Sequence, residues 1–151
     1  MPAAWLPTPL GPVCVTEQDG AITRLDWCGP CRQDDTPPLR RAMAQLKAYF
    51  AGDLTQFDLP LYIAGSDFQR AVCLAISDIP FGETRSYGDL AKILGAPAQA
   101  IGGGCGGNPI PIIIPCHRVM GATGLGGFSA KGGVETKVWL LRHEGAGGFL
   151  I

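Results

Sequence analysis

The chain has 151 residues, of which 46% are hydrophobic and 17% charged, and its formal net charge is −1. This length allows a single core, or a small lobe and a main domain. No apolar run approaches the roughly 18 residues of a membrane helix, and residues 1–12 lack the basic start of a secretory signal. We therefore expect a cytoplasmic protein without a membrane partner. Since DNA-binding domains are usually strongly basic, the net charge does not indicate nucleic-acid binding.

The first part of the chain predicts a small α/β lobe. Residues 12–16 and 21–27 have the pattern of two strands, and Asp19-Gly20 between them is typical of a tight hairpin turn. Residues 39–50 have helical spacing, with Gly52 as the expected C-terminal signal. A lobe boundary is predicted at residues 64–66, which divides the chain into domains 1–64 and 65–151.

The second part is predicted to be mainly helical. Ser66 and Gln69 have capping-box spacing, so a helix should run to about Asp78. The apolar residues expected on one face of this helix are Phe68, Val72, Ala75 and Ile79. Ser86 should cap a short helix to Leu94, and a second helix is expected over residues 98–107. Two short helices around a turn are typical of a helix-turn-helix, with a plain helical hairpin as the alternative.

The remaining elements surround an unusual Cys-His pair. Residues 110–114 are predicted to form a strand, residues 121–133 a glycine-rich loop, and residues 134–144 a last helix closed by Gly145. Cys116 and His117 directly follow the apolar run. A neighbouring histidine can lower the pKa of a thiol and so favour the reactive thiolate. The alternative is a buried cysteine that only packs, because cysteine is among the most buried residue types.

Several motifs together point to one family. The run from Asn108 to Val119, NPIPIIIPCHRV, resembles the active-site signature of the O6-alkylguanine-DNA alkyltransferases. Residues 86–91 (SYGDLA), 101–103 (IGG) and 143–145 (HEG) resemble further segments of the same family. The confident similarity covers about residues 66 to 145, with a looser match before it. The chain is therefore identified as a member of this family.

The resemblance implies a fold, a reaction and a partner. The expected fold class is α/β (α+β): a small ribonuclease-H-like α/β lobe, then a mainly helical domain that carries a helix-turn-helix. The expected reaction is a single-turnover transfer of an alkyl group from O6 of guanine, or from O4 of thymine, to Cys116. The expected partner is alkylated double-stranded DNA, bound by a monomer, with cooperative assembly on DNA left open. No cofactor and no metal are implied.

The same resemblance assigns catalytic roles to five residues. Cys116 matches the alkyl acceptor, and His117 matches the residue that takes the thiol proton through a water. Glu144 matches the residue that orients this histidine. This is the nucleophile, base and orienting group of cysteine catalysis. Tyr87 matches a proton donor to the departing base, and Asn108 matches a residue that braces the turn before the active site. Each of them could instead be a packing or surface residue when taken singly.

Other positions are expected to contact DNA or the alkylated base. An alkylated base in a duplex must be flipped out before it can react, and the second helix of the motif is expected to enter the minor groove. The glycines of residues 102–107 are unfavourable in a helix, and close approach to DNA would explain them; the alternative is a flexible loop. They also fit GxGxxG, but no βαβ context supports dinucleotide binding. The expected DNA-contacting residues are Gln99, Ala100, Gly102, Gly103, Gln69, Gly88, Arg118 and Ala122. The expected base-pocket residues are Phe128 and Ser129.

One of these positions departs from the family pattern. Gln99 stands where the family usually has an arginine that fills the gap left by the flipped base. Glutamine is neutral and lacks the five-donor fork of arginine. We therefore expect weaker DNA binding or slower repair than in a relative that carries the arginine.

A second motif belongs to another class of protein. Residues 27–31 read WCGPC, which copies the thioredoxin active site, but the polar residues after Cys31 do not predict the helix that such a site needs. A zinc site that includes Cys14 lacks a fourth ligand. The favoured interpretation of Cys28 and Cys31 is a reduced pair that can form a disulfide on oxidation. The sequence thus leaves two alternatives: a thiol oxidoreductase, and a damage-binding protein like the alkyltransferase-like proteins, which lack the acceptor cysteine.

Overall fold

A computed structural model describes residues 1–121, 124–126, 128 and 132–146. Its contacts divide the chain into two compact units, residues 1–63 and 64–151. Within the described ranges, no helix is both long and apolar enough to cross a membrane.

The first unit contains a three-stranded antiparallel sheet and one helix. The strands are β1 (Ala3–Leu6), β2 (Val13–Gln18) and β3 (Ala21–Trp27), in the order β1-β2-β3. Asp19 and Gly20 both have positive φ, 53° and 86°, which a type I′ hairpin turn requires, so the predicted turn is confirmed. Strand β1 was not predicted.

Helix α1 (Pro37–Phe50) covers the sheet of this unit. The Thr36 hydroxyl accepts a hydrogen bond from the amide of Leu39, and prolines occupy the first turn, where their missing N–H costs nothing. The helix buries one face, made of Leu39, Ala42, Leu46 and Tyr49. Burial of this stripe stabilises the unit, because the spacing of its members follows the helical repeat.

The second unit begins with the predicted helices. Helix α2 (Asp67–Ser77) is capped by Ser66, helix α3 (Tyr87–Leu94) by a capping box that involves Ser86, and helix α4 spans Ala98–Gly106. The last helix, α5, spans Val134–His143. The predicted apolar face of α2 is partly wrong, because Phe68 is 39% exposed and the buried positions are Val72, Cys73 and Ile76.

The predicted strand over residues 110–114 is wrong. These residues form a tight turn in which Ile112 has a φ of 72°, an uncommon conformation for a β-branched residue. Pro109, Pro111 and Pro115 remove backbone donors, so this segment cannot form a regular ladder. The only regular strands of this unit in the described residues are β4 (Arg85–Ser86) and β5 (Val119–Met120), which pair in parallel.

Candidate active site

Cys116 opens a 3₁₀ turn, Cys116–Arg118, that leads directly into β5. Its amide donates to the carbonyl of Ile114 at 2.8 Å, and the amide of Arg118 donates to the carbonyl of Pro115 at 2.9 Å. Cys116 is only 8% exposed. The thiol is therefore held on a short, hydrogen-bonded turn rather than at the end of a strand.

The environment of Cys116 favours the neutral thiol. Burial raises the pKa of Cys116, while a hydrogen bond with the Asn108 side chain and the positive charge of Lys137 act in the opposite direction. The expectation that neighbouring groups lower this pKa is therefore wrong for the resting protein, since desolvation outweighs them. A thiol in this state needs a base to become a nucleophile.

His117 has the geometry of such a base. Its side chain is fully buried, and Nε2 lies 2.7 Å from Oε2 of Glu144. Nδ1 is buried and has no hydrogen-bond partner among the described residues. Burial lowers the pKa of His117, although the hydrogen bond to Glu144 acts against this. The imidazole is therefore neutral near pH 7, with Nε2–H directed to the carboxylate and Nδ1 available as an acceptor.

Glu144 is the C-cap residue of α5, where the helix dipole does not favour a negative charge. Burial alone would raise the pKa of Glu144, but hydrogen bonds from His117 and Arg118 outweigh burial and hold the pKa at about 2. Glu144 is thus a buried carboxylate whose negative charge is stabilised by hydrogen bonds from His117 and Arg118.

Arg118 supplies the permanent positive charge in this compensation. Its Nε donates to Oε1 of Glu144 at 2.8 Å and its Nη2 to Oε2 at 3.0 Å, while Nη1 donates to the carbonyl of Ile79 at 2.6 Å. The residue is only 6% exposed. The geometry therefore argues against the predicted DNA contact of Arg118, because its guanidinium is buried and occupied by protein groups.

Asn108 closes the turn that carries Cys116. Its Nδ2 donates to the carbonyl of Ile114 at 2.8 Å, and its Oδ1 accepts from the amide of Ile110 at 2.9 Å. One side chain therefore spans both ends of the irregular segment. An amide with a donor and an acceptor fits this geometry, whereas a carboxylate would not.

Tyr87 lies beside the segment that follows β5. The parallel pairing of β4 and β5 aligns Ser86 with Met120, so Tyr87 and Gly121 follow these paired residues. A Cβ built on Gly126 would lie 3.1 Å from the Tyr87 hydroxyl and 3.1 Å from the amide of Gly121. The absence of a side chain at Gly126 therefore lets the tyrosine ring approach this backbone.

Lys137 belongs to the site but was not predicted. Its side chain is fully buried on α5, and Nζ donates to the carbonyls of Val119 at 2.6 Å and Leu125 at 2.5 Å. Burial lowers its pKa, while the thiols of Cys116 and Cys105 act in the opposite direction. A sequence signal existed: Lys137 shares the helical spacing of the buried Leu140 and Leu141, so it falls on the apolar face of α5.

The other predicted DNA-contacting residues and the predicted base-pocket residues lie on three segments of the second unit. Gln99, Ala100, Gly102 and Gly103 lie on α4; Gln99 and Gly103 are exposed and the other two are half-buried. Gly88 is exposed in the first turn of α3. Phe128 is half-buried, whereas Ala122 and Ser129 lie outside the described residues.

Gln69 joins two helices. Its Nε2 donates to the carbonyl of Gly104 at 2.8 Å, and a Cβ on Gly107 would lie 2.6 Å from its Oε1. This amide therefore fastens α2 to the end of α4, a role that the sequence did not indicate. The predicted DNA contact of Gln69 stays a prediction.

The WCGPC motif has no internal disulfide. Cys31 is bonded to Cys14 of β2, and Cys28 is an exposed free thiol, so the expectation that Cys28 and Cys31 are both reduced is wrong for Cys31 in this structure. Within the described ranges, no group of three or more His, Cys, Asp or Glu residues could hold a metal ion. Cys73 and Cys105 are buried on α2 and α4 as expected.

Comparison with known proteins matches both units. Residues 3–63 match the ribonuclease-like domain of 6-O-methylguanine DNA methyltransferase, and residues 67–146 match its DNA-binding domain. The chain is 45% identical over 147 residues to a methylated-DNA–protein-cysteine methyltransferase of Mycobacterium tuberculosis, covering 91% of this chain and 88% of the relative. It is 40% identical over 151 residues to the constitutive Bacillus subtilis protein of that name, covering 91% of each chain.

A solved structure shows the same fold. The crystal structure of Mycobacterium tuberculosis OGT in complex with DNA has a TM-score of 0.85 and 42% sequence identity, covering 95% of this chain and 92% of that chain. The mixed α/β architecture predicted from the sequence is therefore confirmed.

Proposed function

Because the chain belongs to the 6-O-methylguanine DNA methyltransferase family, we propose that it repairs DNA by moving an alkyl group from O6-alkylguanine, or O4-methylthymine, to Cys116. The observation that carries this proposal is the buried chain of Cys116, His117, Glu144 and Arg118. The turn over residues 116–118 supplies a thiol and a neutral base, and the C-terminal end of α5 supplies the carboxylate that faces this base.

The proposed reaction starts with proton transfer. The Cys116 thiol gives its proton to Nδ1 of His117, through a water as the family resemblance implies. The imidazolium that forms lies 2.7 Å from the Glu144 carboxylate, which stabilises the new positive charge. The base is effective because the resting histidine is neutral and its other nitrogen is already hydrogen-bonded.

Transfer follows from the thiolate. Sulfur attacks the alkyl carbon, the bond from carbon to guanine O6 breaks, and the electron pair remains with guanine. Tyr87 gives a proton to the departing base, which makes guanine a better leaving group. The product is a thioether, which water does not cleave, so each protein molecule reacts once.

Binding to duplex DNA is proposed through residues 64–151, with α3 and α4 as the helix-turn-helix. Gly102 and Gly103 support this, because a Cβ on either would meet nothing within 4 Å, so packing within the chain does not require them. Close approach of the α4 backbone to the minor groove would require residues without a side chain at these two positions. Gln99 in the first turn of α4 would fill the gap left by the flipped base. We further propose that the protein acts as a monomer in the cytoplasm.

Intact-protein mass spectrometry tests the proposal directly. Full-length protein is incubated with a duplex that contains one O6-methylguanine, and we expect a gain of one methylene mass that stops at one per molecule. Cys116→Ser should abolish this gain, whereas Cys73→Ser, a matched change at another buried thiol, should retain it. A gain that survives in Cys116→Ser would contradict the assignment. Lesion-selective binding without any gain would instead support a damage-binding protein.

A further inference from the structure

Three cysteines of the first unit lie together outside the proposed alkyl-transfer site. Cys14 is buried on β2 at 4% exposure, whereas Cys28 and Cys31 are exposed on the segment after β3. Cys14 and Cys31 form a disulfide, and the Cys14 sulfur lies 3.6 Å from the carbonyl oxygen of Gly29. The Gly29–Pro30 peptide therefore lies against the disulfide.

We propose that these cysteines form a thiol–disulfide exchange centre in which Cys28 is the attacking thiol. Cys28 is separated from Cys31 by only Gly29 and Pro30, so its sulfur can reach the exposed end of the disulfide. Disulfides in proteins that act inside cells are usually transient, catalytic or redox-sensing rather than structural. A free, exposed thiol three positions along the chain from an exposed cysteine in a disulfide can attack that cysteine's sulfur in an exchange reaction.

The exchange step balances without an external oxidant. The Cys28 thiolate attacks the sulfur of Cys31, a bond forms between these two atoms, and the bond from Cys31 to Cys14 breaks. Cys14 leaves as a thiolate and takes up the proton that Cys28 has lost. The product has a Cys28–Cys31 disulfide inside the CGPC segment and a free Cys14 thiol.

The exchange would release the segment that follows Cys31 from its covalent link to β2. Residues 33 and 34 pair along β1: the Asp34 amide donates to the carbonyl of Ala3 at 2.9 Å, and the Ala3 amide donates to the Asp34 carboxylate at 3.0 Å. The disulfide adds a covalent link from this segment to β2. Trp27, next to Cys28, buries an indole N–H that has no partner among the described residues. A buried donor without a partner costs free energy. If the segment after Trp27 rearranges and offers an acceptor to the indole N–H, the protein would recover this free energy.

Tryptic mapping distinguishes the two disulfides cleanly. Cleavage after Arg24 and Arg32 puts Cys14 on residues 1–24 and both Cys28 and Cys31 on residues 25–32. Full-length protein is equilibrated in reduced and oxidised glutathione at graded ratios, quenched in acid, blocked with N-ethylmaleimide and digested without reduction. In the Cys14–Cys31 form, peptide 1–24 is cross-linked to peptide 25–32. In the Cys28–Cys31 form, peptide 25–32 carries an internal disulfide and peptide 1–24 is free.

We expect both forms in the unmodified protein and complete loss of the internally linked peptide in Cys28→Ser, which changes an exposed residue. Cys73→Ser, at a buried thiol outside the cluster, should retain both forms. Only cross-linked peptides at every glutathione ratio, with Cys28 blocked, would overturn the proposal and leave a structural disulfide. If Cys14, Cys28 and Cys31 are all blocked with N-ethylmaleimide in the most oxidising buffer, no disulfide has formed, and the proposal would be overturned as well.

Discussion

At the scale of single residues, the buried thiol and the neutral histidine predict how the transfer rate depends on pH. Because burial lowers the pKa of His117 below its ordinary value of 6.5, the base is mostly unprotonated at pH 7 and above, and the single-turnover rate should change little between pH 7 and 8. In His117→Gln the thiol must ionise unaided. Since burial raises the pKa of Cys116 above its ordinary value of 9.0, the variant's rate should increase about tenfold between pH 7 and 8.

Rapid-quench measurement of methyl transfer checks this contrast. The matched control is His143→Gln, which changes the half-buried histidine next to Glu144 and leaves His117 intact. A flat profile in His117→Gln would contradict the assignment of His117 as the base. It would mean that another group deprotonates Cys116.

Glu144 predicts a loss of stability in acid. Its folded pKa of about 2 is lower than the ordinary value of 4.5, so the unfolded state binds the proton more tightly. The stabilisation is fully present above pH 5 and is lost as the pH falls towards 2. The loss amounts to about 3 kcal/mol of unfolding free energy by linkage, an order-of-magnitude figure. Urea unfolding at successive pH values measures it.

Glu144→Gln serves as the control for that titration. The variant should lose this part of the acid dependence, and it should be less stable at pH 7 by about 3–5 kcal/mol, because Arg118 is left as an uncompensated buried charge. An unchanged dependence between pH 5 and 2 would mean that other carboxylates account for it.

The sequence predicted which residues lie near one another better than it predicted their burial. The family signature indicated Cys116, His117, Asn108 and Glu144, and the structure holds His117 against Glu144 and Asn108 across the turn. Arg118 was expected to contact DNA, whereas the structure places its guanidinium against Glu144 and the carbonyl of Ile79. Its burial depends on Glu144, which lies 26 positions later in the chain, and local sequence patterns do not report such distant pairs.

At the scale of elements, two neighbouring glycines of α4 predict opposite effects on stability. A Cβ on Gly104 would lie 2.8 Å from both γ-methyl carbons of Val72 on α2, whereas a Cβ on Gly103 would meet nothing within 4 Å. Gly104→Ala should therefore destabilise the protein by about 1–3 kcal/mol through overpacking. Gly103→Ala should stabilise it by about 0.5–1 kcal/mol through helix propensity.

Thermal or urea unfolding measures both variants, and lesion-duplex affinity adds an independent reading. Val72→Ala combined with Gly104→Ala should recover part of the lost stability, since the clash is then relieved. If Gly103 faces DNA, its alanine variant should bind the duplex more weakly although it is more stable. Unchanged affinity in that variant would place the DNA contact elsewhere on the helix.

Elements with their own capping signals were predicted well, and elements that depend on distant contacts were not. Ser66 and Ser86 set the starts of α2 and α3 through local hydrogen bonds. The apolar run over residues 110–114 has the composition of a strand, yet its flanking prolines and the positive φ of Ile112 make it a turn. Strand β1 is short and is defined mainly by its pairing with β2, which local patterns do not specify.

At the scale of the whole molecule, a net charge of −1 predicts that few phosphates are neutralised on binding. Affinity for a lesion duplex should therefore fall only modestly with salt, since each neutralised phosphate contributes about 0.9 to the slope of log K against log salt. Gln99→Arg tests what one cation adds. If arginine stacks in the gap left by the flipped base, the transfer rate should rise about tenfold, which corresponds to ~1.4 kcal/mol and lies within the range for a cation–π contact.

Gln99→Lys separates charge from shape in this experiment. Lysine carries the same charge but lacks the planar guanidinium, so it should give a smaller increase in rate than arginine if stacking is what the flipped state needs. Equal gains in both variants, with the salt slope steeper by about 1, would mean that the new charge binds a phosphate. No gain in rate for either variant would contradict the expectation that Gln99 limits base flipping. A neutral side chain at position 99 would then be sufficient for repair.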